Sequence, residues 1–206
     1  MIKLLSREEI REKYAGAARW YDVWTALLEA MLLGGLRRRL LCHAQGNVLE
    51  VGIGTGLNLK HYPQKCEITG LDYTPEMLEK AKERAERLGR KVNFIQGDAQ
   101  RLPFKARSFD TVVDTFCLCT YPNAMKVLYE MKRVCKRDGH ILLLEHGKSS
   151  SALIENLQRW RAEKHYQSIG CRLLLNHEAL VKKAGFKIVT SERRFFGIFY
   201  VIKAKN

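Results

Sequence analysis

Nine residues, Val48-Leu49-Glu50-Val51-Gly52-Ile53-Gly54-Thr55-Gly56, constrain this chain more than any other stretch. The apolar run is too short for a helix of its own and is rich in β-branched residues. It predicts a buried strand that runs into a glycine-rich turn and then a helix. Gly52, Gly54 and Gly56 carry no Cβ, so the backbone can turn sharply and approach a ligand closely. Such a turn at the carboxyl end of a parallel strand is where open α/β sheets bind nucleotides. In the NAD fingerprint the third glycine follows the second by three positions. Here position 57 is Leu, and the third glycine arrives at 56. Glu50 would place a carboxylate beside the ligand, which repels a pyrophosphate and suits an ammonium. The turn points to a cationic nucleoside rather than to NAD.

The next segments continue an alternation of strands and helices. Glu67 to Asp72 predicts a second strand that ends in an acid, and Asp72 lies about 20 residues past the first glycine, the distance at which an acid reaches ribose hydroxyls. Thr74-Pro75-Glu76 opens a helix with a cap, an early proline and an acid; Met77, Leu78, Ala81, Ala85 and Leu88 form its buried stripe, and Gly89 stops it. Val92 to Ile95 is a third strand, Phe109 to Cys117 a fourth and its exit, and 139–145 a fifth. A helix is expected over 122–135, helical structure over 148–175, another helix over 176–184, and two last strands at 186–192 and 197–203.

Glu50-x-Gly52-x-Gly54-x-Gly56 together with these later motifs resembles the class I S-adenosylmethionine-dependent methyltransferases, over roughly 46–145. The resemblance implies a Rossmann-like α/β fold with a seven-stranded, mostly parallel sheet, helices on both faces and an N-terminal helical cap. It also implies S-adenosylmethionine as cofactor. The expected cofactor residues are Glu50, Gly52, Gly54, Thr55, Gly56 and Asn58 of the turn, Asp72 and Tyr73, Met77 against the adenine, and Asp98 and Ala99. The last pair belongs to Gly97-Asp98-Ala99-Gln100-Arg101-Leu102-Pro103-Phe104, similar to a family motif in which the acid accepts the adenine amine. Thr115 joins the set by likeness to the quinone-methylating members. Tyr14-x-x-x-Ala18-x-x-Tyr21-Asp22 is similar to the N-terminal signature of the subgroup that methylates quinones and phospholipids, where this segment closes over the cofactor. Tyr14 and Tyr21 are thus expected in the acceptor pocket. The segment 170–186 more loosely resembles small thiol methyltransferases and their phospholipid-modifying relatives.

His146, in Glu145-His146-Gly147 at the end of the fifth strand, is the candidate general base, because its ordinary pKa lies near neutrality; a structural histidine bonded to a neighbouring loop is the competing reading. The fourth-strand exit carries neither the Asn/Asp-Pro-Pro-Tyr motif of exocyclic-amine methylation nor a Pro-Cys nucleophile. Any base is needed only where the acceptor is an acid in its resting form, such as a thiol, phenol or carbon acid.

At the N-terminus Ser6 and Glu9 form a capping-box pattern. Ile10, Tyr14, Ala17, Tyr21 and Trp24 recur at helical spacing, and Trp20, Trp24, Leu28 and Met31 make a second stripe toward Gly34-Gly35. Two readings stay open for this region: helices that cover the cofactor, or an amphipathic element that touches a membrane surface.

The 206 residues suit one domain, with 1–46 as the cap, 47–145 as the cofactor-binding core and 146–206 as the substrate-side insertion and last strands. No transmembrane stretch or signal peptide is read, which leads to a cytoplasmic expectation. Net charge is +14, distributed as +3, +3 and +8 over those three parts, so the basic excess falls in the last. It suits an anionic membrane surface or phospholipid headgroups, or is merely solvated. The six cysteines show no Cys-x-x-Cys pair, which argues for reduced thiols. Cys117-x-Cys119 lacks a second pair at zinc-binding spacing, so no metal is expected. The sequence therefore favours methyl transfer to a small-molecule or lipid acceptor (phospholipid amine, quinol or thiol). An RNA methyltransferase and a non-catalytic S-adenosylmethionine-binding protein are the alternatives, and nucleic acid is not the expected partner.

Overall fold

The computed structural model describes residues 4–206, with the Trp24 side chain outside the described part. Seven strands form one sheet: β1 Asn47–Val51, β2 Glu67–Asp72, β3 Val92–Gln96, β4 Phe109–Thr115, β5 Cys135–His146, β6 Lys187–Arg194 and β7 Phe199–Lys205. Their order is β3-β2-β1-β4-β5-β7-β6. The pairs among β1 to β5 are parallel, and β7 runs antiparallel to both β5 and β6. The strand order reverses beside β1, which makes a crevice at the carboxyl ends of β1 and β4.

Alternation along the strands builds a core on each face of the sheet. Val48, Ile68, Val113 and Leu142 pack with Leu36, Leu40 and Leu41 of α2 (Gly34–Leu41) and with Leu78 and Ala85 of α3 (Pro75–Arg87). Leu49, Leu71, Val112, Ile141 and Leu143 face the other way, onto Val127, Leu128 and Met131 of α4 (Ala124–Val134) and Val181 of α6 (His177–Lys183). Each such side chain, fully buried, stabilises the fold by about 1.5–3 kcal/mol. Leu88, expected in the buried stripe of α3, is instead 40% exposed, because the helix ends at Arg87 and Leu88 serves as its cap.

The N-terminal helix α1 (Arg7–Leu28) begins where expected. The Ser6 hydroxyl accepts the Glu9 N–H at 3.2 Å, and the Glu9 carboxylate accepts the Ser6 N–H at 2.7 Å. It does not break at the glycines. A π-helical turn at Glu29–Leu33 carries the chain directly into α2, with Gly34 helical at φ −58°. A Cβ at Gly34 would meet the Glu29 carbonyl oxygen at 2.8 Å, so the widened turn requires glycine there. Of the two N-terminal stripes, Ile10, Tyr14 and Tyr21 face inward. Trp20, Leu28 and Met31 face out, at 49%, 45% and 78% exposure.

Two further boundaries differ from expectation. Cys135, expected to close α4, opens β5 and pairs with Phe109. The helix after β5, α5 (Ala152–Ile169), stops at Gly170, which is left-handed at φ 74°, and a loop with a turn leads to Asn176, the cap of α6. Among the described residues no helix is long and apolar enough to cross a membrane.

Candidate active site

The carboxyl ends of β3, β2, β1 and β4 line up beneath α1 and enclose a cavity of roughly 970 Å³ measured to its open mouth. Its wall includes Glu50, Gly52, Gly54, Thr55, Asn58, Asp72, Tyr73, Met77, Asp98, Ala99 and Thr115, together with Tyr14 and Tyr21. Thus thirteen of the fifteen residues singled out in the sequence meet in one place; Gly56 and His146 do not.

Gly56 stands off the wall for a packing reason. Its φ is +77°, and a Cβ would lie 2.9 Å from Leu59 Cδ1 and 3.3 Å from Ala81 Cα. It lets the turn sit close against α3 and makes no part of the wall. Gly54, at φ +55°, has nothing within 4 Å of a Cβ, so its open side faces the cavity.

Asp72 is held in place by two backbone donors, the Gly54 N–H at 2.8 Å and the Thr74 N–H at 2.9 Å, one on each carboxylate oxygen. Each oxygen keeps a lone pair for a ligand hydroxyl. Burial nonetheless raises its pKa above the ordinary value. Asp98 accepts the Gln100 N–H at 2.9 Å and is paired with Arg7 of α1. The Arg7 guanidinium also lies 4.6 Å from the Tyr73 ring centroid, and Tyr73 donates to Glu8. The first turn of α1 therefore closes over the β2–β3 end of the cavity.

Glu50 lies on the cavity floor and is 1% exposed. One oxygen accepts Asn58 Nδ2 at 2.7 Å, the other the Tyr62 hydroxyl at 2.9 Å. Burial still pushes its pKa up to about 7. Beside it, buried Arg37 donates through Nη1 to Asn58 Oδ1 at 2.8 Å and Thr115 Oγ1 at 2.9 Å, and it is fixed by Glu29 with Nη2–Oε1 at 2.8 Å. The π-helical turn places Glu29 for this pair. Nothing in the Arg37-Arg38-Arg39 run distinguishes the buried arginine from its neighbours, and only the packing of α2 selects it.

The β4 end of the cavity is more apolar and aromatic, with Ile10, Tyr14, Tyr21, Phe116 and Tyr121. Phe116 is left-handed at φ 61°, uncommon for a bulky side chain and a mark of stored strain at a site. The Tyr121 hydroxyl is buried with no partner among the described residues. Behind them Asp114 and Glu145 are fully buried neighbours. Desolvation raises both above their ordinary values, and the Asp114 charge pushes Glu145 up further. Cys117 lines the cavity, and burial holds its thiol well above the ordinary value, so it is no ready nucleophile. His146 sits one strand further along, with Nε2 turned to two thiols, 3.0 Å from Cys171 Sγ and 3.5 Å from Cys119 Sγ.

The open side of Gly54, the acid fixed at the end of β2 and a buried carboxylate near the turn together fit an adenosine that carries a cationic amino-acid tail. A family model described as a methyltransferase domain matches residues 49–143. A ubiquinone/menaquinone biosynthesis C-methyltransferase of Citrifermentans bemidjiense is 30% identical over 173 residues, covering 79% of this chain and 74% of that protein. A phosphatidylethanolamine N-methyltransferase of Cereibacter sphaeroides is 40% identical over 53% of this chain and 57% of its own length. The chain spans only 48% of a mitochondrial methyltransferase of Saccharomyces cerevisiae, OMS1, which matches 99% of it at 30% identity. Among solved structures, an S-adenosylmethionine-dependent methyltransferase of Thermotoga maritima superposes with a TM-score of 0.74 at 22% identity, over 95% of this chain and 99% of that one, a likeness of fold. The chain belongs to the class I S-adenosylmethionine-dependent methyltransferases.

Proposed function

We propose that this chain transfers a methyl group from S-adenosylmethionine to a small amphiphilic or lipid acceptor. The observation that carries this is the polarity of the cavity. Fixed carboxylates, Asp72 and Asp98, stand at the β2–β3 end, and an aromatic wall of Tyr14, Tyr21, Phe116 and Tyr121 stands at the β4 end.

S-adenosylmethionine supplies a methyl group on a positively charged sulfur, which departs as a neutral thioether when a nucleophile attacks the methyl carbon. Asp72 would take the ribose hydroxyls, Met77 and Ala99 would pack on the adenine, and Glu50 would neutralise the ammonium of the amino-acid tail. Asp98 would accept the adenine amine while it stays paired with Arg7. α1 would exclude water, and Tyr14 and Tyr21 would hold the acceptor toward the cofactor. Orientation and dehydration of this kind supply several kcal/mol without covalent chemistry. His146 has no part as a base in this scheme, since its Nε2 faces thiols and not the cavity.

A lipid source for the acceptor is favoured by the surface of α5. Leu153, Leu157 and Trp160 form an outward stripe, 80%, 54% and 79% exposed, beside Arg159, Arg161 and Lys164. Apolar and basic groups so interleaved suit the plane of an anionic bilayer. The names of the quinone and phosphatidylethanolamine relatives support the same class.

Isothermal titration with S-adenosylmethionine and S-adenosylhomocysteine, on wild type and Asp72→Ala, tests the cofactor reading; saturable binding weakened by the substitution is expected. Methyl transfer is then followed with anionic vesicles that contain an aminophospholipid, with a quinol, and with RNA. Transfer to RNA alone, or no cofactor binding by folded protein, would overturn the proposal.

A further inference from the structure

Three side chains from separate segments converge where the β4 exit loop, the end of β5 and the loop after α5 meet. Cys119 Sγ and Cys171 Sγ lie 3.2 Å apart, and His146 Nε2 lies 3.0 Å from Cys171 Sγ and 3.5 Å from Cys119 Sγ. All three ligand atoms fall within 4.8 Å of one another. The cysteines are 1% and 3% exposed. The spacing of Cys117-x-Cys119 gave no reason to expect a metal, since the partner thiol and the imidazole come from remote segments and Cys117 itself turns to the Gly52 carbonyl.

We propose that Cys119, His146 and Cys171 form a site for a thiophilic divalent ion, Zn2+. Two thiolates and one imidazole are a donor set that zinc takes in tetrahedral sites, with about 2.3 Å to sulfur and 2.0–2.1 Å to nitrogen. Those bond lengths place neighbouring ligand atoms roughly 3.5–3.8 Å apart in a tetrahedron, so the triangle seen here need open by only about half an ångström. Three protein ligands leave one coordination position for water or an exchangeable ligand.

The frame around the triangle is fixed. The Arg172 N–H and Nε both donate to the Cys119 carbonyl oxygen, at 3.1 and 3.3 Å, and its guanidinium reaches on to the Tyr121 carbonyl. This ties the two cysteine-bearing loops together. His177 Nε2 bonds the His146 carbonyl oxygen at 2.9 Å, and the His146 ring is stacked on Phe116. Such outer partners orient metal ligands. Phe116 and Tyr121 also line the acceptor end of the cavity, and Tyr14 lies within electrostatic reach of both thiols. An ion here would fasten the substrate-side segment that carries α5 to the sheet, next to the acceptor.

The test uses the full-length reduced protein, stripped of metal and titrated with Zn2+ against a chromophoric chelator, then with Co2+. One equivalent of saturable Zn2+ binding is expected, with a rise in Tm. Co2+ should show thiolate charge-transfer and the strong visible bands of a tetrahedral site. Cys119→Ser, Cys171→Ser and His146→Ala should each weaken binding by roughly 100-fold or more, at least the size of outer-partner effects, whereas Cys42→Ser, on the exposed surface, should not. Independently of any variant, Zn2+ should protect Cys119 and Cys171 of the wild type from alkylation while Cys42 stays reactive. No saturable binding, or binding that survives the three substitutions, or unprotected Cys119 and Cys171, would overturn the site. S-adenosylmethionine titration of the same samples separates such a failure from a failure of the methyltransferase reading.

Discussion

Thr55 in the glycine turn donates its hydroxyl to Asp22 of α1 at 2.7 Å. Asp22 in turn is paired with Arg84 of α3. One side chain of the covering helix thus touches both the turn that would hold the cofactor and the helix that follows β2. Together with Arg7–Asp98 and Glu8–Tyr73, it fastens α1 over the cavity at three points.

Asp22→Ala should loosen that cover. A hydrogen bond to a charged group contributes about 1.5–3 kcal/mol, and Asp22 is partly exposed, so the lower part of that range applies. Affinity for S-adenosylmethionine should fall by roughly tenfold, at about 1.4 kcal/mol per tenfold. Limited proteolysis should cut within α1 more quickly. Unchanged affinity by titration calorimetry would show that α1 closes without this contact.

Glu50 makes cofactor binding depend on pH. Its carboxyl, pushed up to about 7, is largely protonated in the free protein below that value and ionised above it. A cationic ligand prefers the ionised form, so affinity should increase as pH rises from 6 to 8 and then level off. Stability runs in the opposite sense. The unfolded chain ionises near the ordinary 4.5 while the folded chain keeps its proton, so this group's contribution is full below about 4.5 and is lost as pH rises through 7. Glu50→Gln should flatten both profiles and weaken cofactor binding at pH 8, measured by calorimetry and by urea unfolding.

Gly56→Ala separates packing from binding. A left-handed alanine costs roughly 1–2 kcal/mol, and the contact with Leu59 adds strain. A fall in Tm of about 2–8 °C follows for a chain of this size. Cofactor affinity of the folded fraction should stay within about twofold, because Gly56 is no part of the cavity wall. The same substitution at Gly54 should reverse the pattern, with binding lost and less effect on packing.

Arg37→Met should be strongly destabilising, since it strands Glu29, 12% exposed at its side chain, without a counter-ion. Removing one partner of a buried pair typically costs about 3–5 kcal/mol. Glu29→Met combined with Arg37→Met should recover most of that loss in urea unfolding. If the double variant is no more stable than Arg37→Met, the bonds to Asn58 and Thr115, and not the ion pair, hold this part of the site.

Much of the architecture was legible because it rests on local chemistry. The short β-branched run of Val48 to Val51, the Thr74-Pro75 start of α3 and the Ser6–Glu9 capping box each state their element within a few residues. Boundaries were less legible where packing overrides propensity. The second N-terminal stripe was legible only as far as Gly34-Gly35, and the π-helical turn at Glu29–Leu33 that carries the helix on into α2 was not. Cys135 read as the end of α4 but starts β5, because pairing with Phe109 outweighs one more helical residue.

The sequence by itself determined the glycine turn, the acids at the ends of β2 and β3 and the class of cofactor, because strand, turn and acid follow one another at spacings that parallel strands impose. Only the tertiary structure decided which arginine is buried, that Gly56 serves packing, and that Cys119, His146 and Cys171 share one corner. Those facts depend on which remote segments meet when seven strands are ordered β3-β2-β1-β4-β5-β7-β6. Residues 27 and 52 positions apart become neighbours through that order, and no local spacing records it.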